Sequence, residues 1–321
     1  MKKILLVEII LILIAVTFNS LISLFSEKGQ DIYSQSQNEA RVSNSIAIKP
    51  SRLTAEYAIL IDMDSGEVLF DKNADSKCYP ASTTKILTAL LALENAAMDE
   101  SFVAGEEVNF INPESSIAGI RYGEKLTLEQ LLYGLLIASG NDAAYTIAVN
   151  TAGKMPGGEE LCGWDAVRFF TDRMNQRAKE LGAKTSNFAN PDGFHHDQHY
   201  STAHDIALIA LEAMKHPQFK EIVRTEGFRL PGVAVIDRNG EERIEQRYLI
   251  NTNRLLLKGS DYYPYATGVK TGHTDKAGYC LVSSAEKDGR TVLAVVMKST
   301  EEKVWMDSRI LLDYGLSLPE D

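Results

Sequence analysis

Ser82 and Lys85 stand three residues apart at the head of an apolar stretch that includes Ile86, Leu87, Leu90, Leu91 and Leu93. A serine hydroxyl is a weak nucleophile until a nearby base takes its proton. On a helix, positions i and i+3 share a face. A lysine buried on such a face loses its preference for the charged form and can serve as the base. The N–H groups at a helix start also favour developing negative charge. Alone, the pair means little, because most helix lysines are simply solvated. Ser139-Gly140-Asn141 is equally ordinary by itself, since these residue types make turns. Lys270-Thr271-Gly272 closes a β-rich run. There a cation, a hydroxyl and a glycine that permits close approach would suit a substrate carboxylate. Together the three triplets supply a nucleophile, a base and fixed polar groups, which is what acyl transfer needs.

The elements that must position these residues are legible in outline. Ala55–Asp62 and Glu67–Asp71 read as strands joined around Asp64-Ser65-Gly66, a hairpin signal. Pro80 precedes a buried helix expected from about Ser82 to Ala97. Thr127 and Gln130 form a capping-box pattern ahead of Leu131, Leu132, Leu135 and Leu136. Further helices are expected at Asp142–Ala152, at Trp164–Leu181 closed by Gly182, and at Thr202–Met214. Strand character returns at Thr267–Thr271, Tyr279–Ser284 and Thr291–Met297, and Glu302–Tyr314 reads as a closing helix. The expected fold class is α/β in the α+β sense. Both ends of the chain build one mostly antiparallel sheet flanked by helices, and a helical subdomain is inserted at roughly 100–245.

Composition narrows the function classes. The 321 residues carry 33 Lys and Arg against 44 Asp and Glu, a net charge of −11, with 45% hydrophobic residues. This is a globular composition without the clustered positive charge that nucleic-acid binding needs. Cys78, Cys162 and Cys280 form no C-x-x-C pair, so they read as free thiols with at most one bridge. His195, His196, His199 and His204 crowd ten residues. They could hold a metal, but they match no H-E-x-x-H pattern, and their polar surroundings read as a solvated surface loop. No metal and no cofactor is expected. Lys2 and Lys3 before the apolar run Ile4–Phe25, interrupted by Glu8, read as an export signal, either cleaved or kept as an anchor. Residues 26–50 read as a polar linker, and 51–321 as an extracytoplasmic catalytic domain in the cell envelope.

The same set of triplets, with an aspartate where Gly140 stands, marks class A β-lactamases and penicillin-binding proteins. From about Ala55 to Tyr314 the chain resembles the low-molecular-mass penicillin-binding proteins that are D-alanyl-D-alanine carboxypeptidases, serine peptidase family S11. The likeness rests on Pro80-Ala81-Ser82-Thr83-Thr84-Lys85, Ser115-Ser116-Ile117, Gly123-Glu124-Lys125-Leu126-Thr127, and Leu132-Tyr133-Gly134-Leu135-Leu136 leading to Ser139-Gly140-Asn141-Asp142-Ala143-Ala144. It continues through Tyr200-Ser201-Thr202-Ala203, Asn251-Thr252-Asn253 and Gly268-Val269-Lys270-Thr271-Gly272-His273-Thr274.

The resemblance implies a β-lactamase/transpeptidase-like fold and a set of roles. Ser82 is the acylated nucleophile, Lys85 the general base, and Ser139 a proton relay to the leaving group. Asn141 orients Lys85 and the substrate amide. Lys270 supplies positive potential, and Thr271 binds the terminal carboxylate beside Gly272 and His273. The backbone N–H groups of Ser82 and His273 form the oxyanion hole. The implied activity removes the terminal D-alanine from peptidoglycan pentapeptide stems, and β-lactam antibiotics acylate the same serine. Four other readings stand beside it: a D,D-endopeptidase of the same family cutting crosslinks, a β-lactamase, an inert wall-binding module, and a metal-dependent hydrolase built on the histidines. The β-lactamase reading is weakened because no deacylating-glutamate loop is recognisable. The chain departs from the family pattern at Asp192-Gly193, where many members have His-Gly, and at His204, where an arginine is usual. Lysines, among them Lys298 and Lys303, replace an arginine after the last strand. With Asp321 closing the sequence and the usual C-terminal β-rich domain and amphipathic helix missing, membrane attachment is expected of the N-terminal segment.

Overall fold

Alternate residues of β1 (Tyr57–Asp62) face two different cores. Ile59 and Ile61 pack on one side of the sheet, Ala58 and Leu60 on the other. This is the period-two consequence of an extended backbone covered on both faces. The computed structural model describes residues 49–236 and 242–319. The expected signal or anchor segment, and the linker apart from its last two residues, lie outside them. The central sheet has five strands in the order β2-β1-β9-β8-β7, all antiparallel. Here β2 is Val68–Lys72, β7 is Ala266–Thr274, β8 is Gly278–Lys287 and β9 is Arg290–Ser299. Leu293, Val295 and Met297 of β9 join the first core, and Val292, Ala294 and Val296 the second.

The second core is closed by helix α7 (Val304–Ser317) through Trp305, Leu311 and Leu312. The first is closed by α1 (Lys85–Asn95), α2 (Leu128–Leu136), α3 (Asn141–Ala152), α4 (Gly163–Glu180) and α5 (Ala203–Ala213). Every residue of α1 from Lys85 to Ala92 is buried. The capping box expected at the head of α2 is present, with Thr127 and Gln130 exchanging side-chain-to-backbone bonds. Among the described residues no helix is long and apolar enough to cross a membrane, and Cys78, Cys162 and Cys280 are free.

Two expectations need correction. The helix expected from Ser82 becomes α-helical only at Lys85, and Ala81–Thr84 is a 3-10 turn that carries Ser82. The middle of the chain is not wholly helical. It holds two small antiparallel sheets, β3 (Ser101–Val103) with β4 (Lys125–Thr127), and β5 (Gly227–Ile236) with β6 (Glu242–Ile250), besides a further helix α6 (Pro217–Arg224). The β5–β6 ribbon leaves Ile244, Tyr248 and Ile250 exposed. Its sequence therefore lacks the apolar-in, polar-out alternation by which a half-buried strand is recognised.

Candidate active site

The turn that carries Ser82 is held from two sides. Ala81 sits at a φ of +48°, and Gly193, at φ +80°, packs so closely that a Cβ there would lie 1.9 Å from the Ala81 carbonyl oxygen. On the other side β7 passes edge-on. A Cβ on Gly272 would meet the Ser82 nitrogen at 3.0 Å and the Thr83 nitrogen at 3.1 Å. A residue without a side chain is what lets β7 run against the nucleophile turn.

Lys85 is fully buried, and its Nζ makes three hydrogen bonds: to Ser82 Oγ at 2.8 Å, to Asn141 Oδ1 at 2.7 Å and to the Asp192 carbonyl oxygen at 2.6 Å. These use all three donors of an ammonium. Burial pulls the amine down to about 8, while the charges of Asp192 and Asp142 hold it up. The Ser82 hydroxyl itself points to the Asp192 carbonyl at 3.4 Å.

Asn141 opens α3, and Ser139 precedes it at a φ of +60°, a strained conformation for a residue with a Cβ. The Ser139 hydroxyl makes no hydrogen bond among the described residues. The turn is fixed instead by Asp142. Its carboxylate accepts from the backbone N–H groups of Ala118 and Ile120, both at 2.8 Å, and of Ala143 at 2.9 Å, while the Asn141 N–H donates to the Ser116 carbonyl at 2.8 Å. The loop containing Ser115 and Ser116 is thereby stitched to the head of α3.

From β7, Lys270 is buried and its Nζ donates to the Thr271 carbonyl at 2.9 Å. Burial first, and then the neighbouring charge of Lys85, push its amine well below the usual lysine range. Thr271 Oγ1 shares a 2.6 Å hydrogen bond with Thr252 Oγ1, and the His273 ring packs on Tyr279 at 4.2 Å. Ser82, Ser139, Asn141, Thr271, Gly272 and His273 all line one open cleft of about 700 Å³. The structure thus brings the three triplets together, with Lys85 and Lys270 buried beneath the cleft.

Three residues escaped the sequence reading. Thr252 lies in a quoted motif, yet nothing in its spacing showed that its hydroxyl reaches Thr271. Asp192 is buried beside Lys85, although a carboxylate next to a glycine reads as a turn. His199 belongs to the tract expected as a solvated loop, but it is buried, with Nε2 2.8 Å from Thr84 Oγ1 and Nδ1 accepting from the Ala189 N–H at 3.2 Å. The other histidines scatter. His195 packs edge-on against Tyr79, and His204 pairs with Asp75 at 2.8 Å. Among the described residues no group of three or more His, Cys, Asp or Glu is set to hold a metal. Lys298, at the end of β9, is paired with Glu56 at 2.9 Å, and Lys303 immediately precedes α7 without a side-chain capping bond. Neither lines the cleft, whose exposed ammonium is that of Lys276 on the β7–β8 turn.

The arrangement suits attack by a serine oxygen whose proton leaves to a buried amine. The comparisons agree with that chemistry. The family model described as D-alanyl-D-alanine carboxypeptidase matches residues 43–301. The D-alanyl-D-alanine carboxypeptidase DacF of Bacillus subtilis is 36% identical over 254 residues, 78% of this chain and 58% of that relative's length, so the chain spans little more than half of it. A D-alanyl-D-alanine carboxypeptidase of a Streptomyces species, strain K15, is 32% identical over 277 residues, 85% of this chain and 90% of the relative. The crystal structure of the Streptomyces K15 DD-transpeptidase superposes with a TM-score of 0.71 at 32% identity, covering 83% of this chain and 98% of that one.

Proposed function

This chain belongs to the D-alanyl-D-alanine carboxypeptidase family of serine peptidases, and on that premise we propose that it removes the terminal D-alanine from peptidoglycan pentapeptide stems through an acyl-enzyme on Ser82. The observation that carries the reading is a fully buried Lys85 whose Nζ lies 2.8 Å from Ser82 Oγ. As an ammonium it donates to that oxygen, and as an amine it takes the oxygen's proton.

In the acylation step Ser82 Oγ bonds to the carbonyl carbon of the penultimate D-alanine, and its proton passes to Lys85. The carbonyl oxygen becomes an oxyanion facing the backbone N–H groups of Ser82 and His273. The close approach of Gly272 to the Ser82 nitrogen supports that pairing. The C–N bond then breaks. The proton returns through the Ser139 hydroxyl to the leaving nitrogen, and D-alanine departs as an amine. Water attacks the ester by the same route in reverse, releasing the shortened stem as a carboxylic acid and restoring the serine. Lys270 lends positive potential, the Thr271 hydroxyl receives the terminal carboxylate, and Asn141 holds Lys85 and the substrate amide. No cofactor takes part. A β-lactam ring offers the same carbonyl, so it acylates Ser82 and stays. The substrate lies outside the cytoplasmic membrane, so residues 51–321 act there as the catalytic domain, delivered by the segment around Ile4–Phe25.

Labelled penicillin is expected to mark the protein but not its Ser82→Ala variant, and purified enzyme is expected to release D-alanine from a pentapeptide. Labelling that survives the substitution would sink the assignment. Product analysis on a crosslinked dimer, and with an amine in place of water, separates carboxypeptidase from endopeptidase and transpeptidase outcomes.

A further inference from the structure

Trp164, near the head of α4, is 52% exposed, although Ala166 and Phe170 of the same helix lie in the first core. Its indole is nevertheless held in place. Phe110 stacks on it with ring centroids 4.2 Å apart and planes 8° apart. Tyr145 meets both rings edge-on, at 6.0 Å from Trp164 and 6.2 Å from Phe110. A planar ring covered on one face and still half exposed presents its other face to solvent. A rigid aromatic platform of this kind loses little entropy when a flat partner settles on it.

The stack is tied to the cleft at two points. Phe110 leads into the loop whose Glu114, Ser115 and Ser116 line the cleft. Tyr145 is buried one turn beyond Asn141, on the same face of α3. One turn of helix and the ring contact put the Trp164 indole within about 16 Å of Asn141. In the functional reading above the terminal carboxylate goes to Thr271 and the substrate amide to Asn141, so the rest of the stem leaves past Asn141, towards α3. Four extended residues span about 13–14 Å. The sugar that carries the stem therefore comes to a matching distance when the fourth residue is at Ser82.

Size and surroundings favour a sugar over a larger partner. The free face is one ring wide, roughly 100 Å², whereas a protein or membrane surface needs several hundred. The residues that flank the stack in sequence, Glu106, Asn109, Asp165 and Arg168, are exposed and polar. A pyranose ring offers a flat face of C–H bonds to the negative face of an aromatic ring and hydroxyls to a polar rim. Resting on the functional reading above, we propose that the free face of Trp164 is a carbohydrate-stacking site, which holds an N-acetylated hexosamine of the glycan strand while the attached stem enters the cleft.

The test compares kcat/KM for a disaccharide pentapeptide and for the same pentapeptide without sugar, on the full chain, on Trp164→Ala and on Trp164→Tyr. The sugar is expected to raise kcat/KM about fivefold in the native chain. The ratio should fall to about one in Trp164→Ala and be largely kept in Trp164→Tyr. Because each ratio is taken within one protein, a general loss of folding cancels. A native ratio near one, or a ratio that Trp164→Ala leaves unchanged, would overturn the proposal. A second readout needs no catalysis. The peptide-free disaccharide of N-acetylglucosamine and N-acetylmuramic acid, at about 10 mM, should shift the indole emission to the blue, and Trp164→Tyr should abolish the shift. Trp305, the other tryptophan, is 6% exposed. No shift with the disaccharide, or a shift only with phospholipid vesicles, would overturn the sugar site. A native chain that cuts neither peptide would fail the functional reading, and the emission change would still decide the sugar site.

Discussion

At the scale of single residues, the site turns on a proton that burial makes loose. In the proposed role of base Lys85 works in its uncharged form, and with burial drawing the amine down to about 8, acylation should rise about tenfold per pH unit below that value and level off above it. Stopped-flow acylation from pH 6 to pH 10 checks the limb. Lys85→Arg keeps a cation but removes the base, and should slow acylation by about 10²–10⁴-fold. Thr252→Val deletes the partner of Thr271 Oγ1. It should raise KM several-fold with little change in kcat or in melting temperature, since Thr252 lies at the cleft surface. Ser82, Lys85, Ser139, Asn141 and Lys270 were legible because their chemistry is local and their spacing distinctive. Asp192 meets Lys85 through its carbonyl across more than a hundred residues, and Thr252 meets Thr271 from the segment between β6 and β7, and no local pattern carries that information.

At the scale of elements, two close approaches and one stitched loop hold the groups proposed to be catalytic. Gly193→Ala would drive a Cβ into the Ala81 carbonyl. It should cost about 3 kcal/mol or more and displace the Ser82 turn. Gly289→Ala, at a similar φ of +88° but with nothing within 4 Å, should cost only about 1 kcal/mol. Urea midpoints of the two variants test the contrast. His199 gives an acid-sensitivity prediction. Its ring stays uncharged in the fold, with its proton affinity pushed down to about 3 by burial foremost. The unfolded chain binds that proton from about pH 6.5 downward. Stability should therefore be whole above about 6.5 and fall by about 1.4 kcal/mol per unit as pH drops towards 3. Urea titrations at pH 7, 6 and 5 should show that part of the slope vanish in His199→Gln. The helices were readable from apolar period and caps. The β5–β6 ribbon was not, because it lies half off the body with apolar side chains outward, and its anchor, Arg247, reaches Glu124 and the Pro231 and Gly119 carbonyls across a long loop of sequence.

At the scale of the whole molecule, the two ends of the described chain are fastened together by Asp307. It is fully buried in α7 and accepts from the Thr54 and Ala55 N–H groups at 3.0 and 2.8 Å and from Ser299 Oγ at 2.7 Å. Asp307→Ala orphans these donors and should lower the unfolding free energy by about 2–4 kcal/mol, read from chemical denaturation, with penicillin acylation retained below the new midpoint. The expectation of one sheet built from both chain ends was correct in kind. β1 lies between β2, its immediate successor, and β9, more than two hundred residues downstream. A growing polypeptide meets that arrangement in a fixed order. The hairpin of β1 and β2 emerges early with one flank bare, and the serine follows within a few seconds of synthesis. The strand bearing Lys270, and the one that covers the bare flank, arrive last. Until then the hydroxyl has no prepared surroundings and the exposed flank invites sticking to neighbours. A chain interrupted before Arg290 should be recovered as aggregate and be blind to penicillin, so the completed cleft is withheld by topology until β9 has been made.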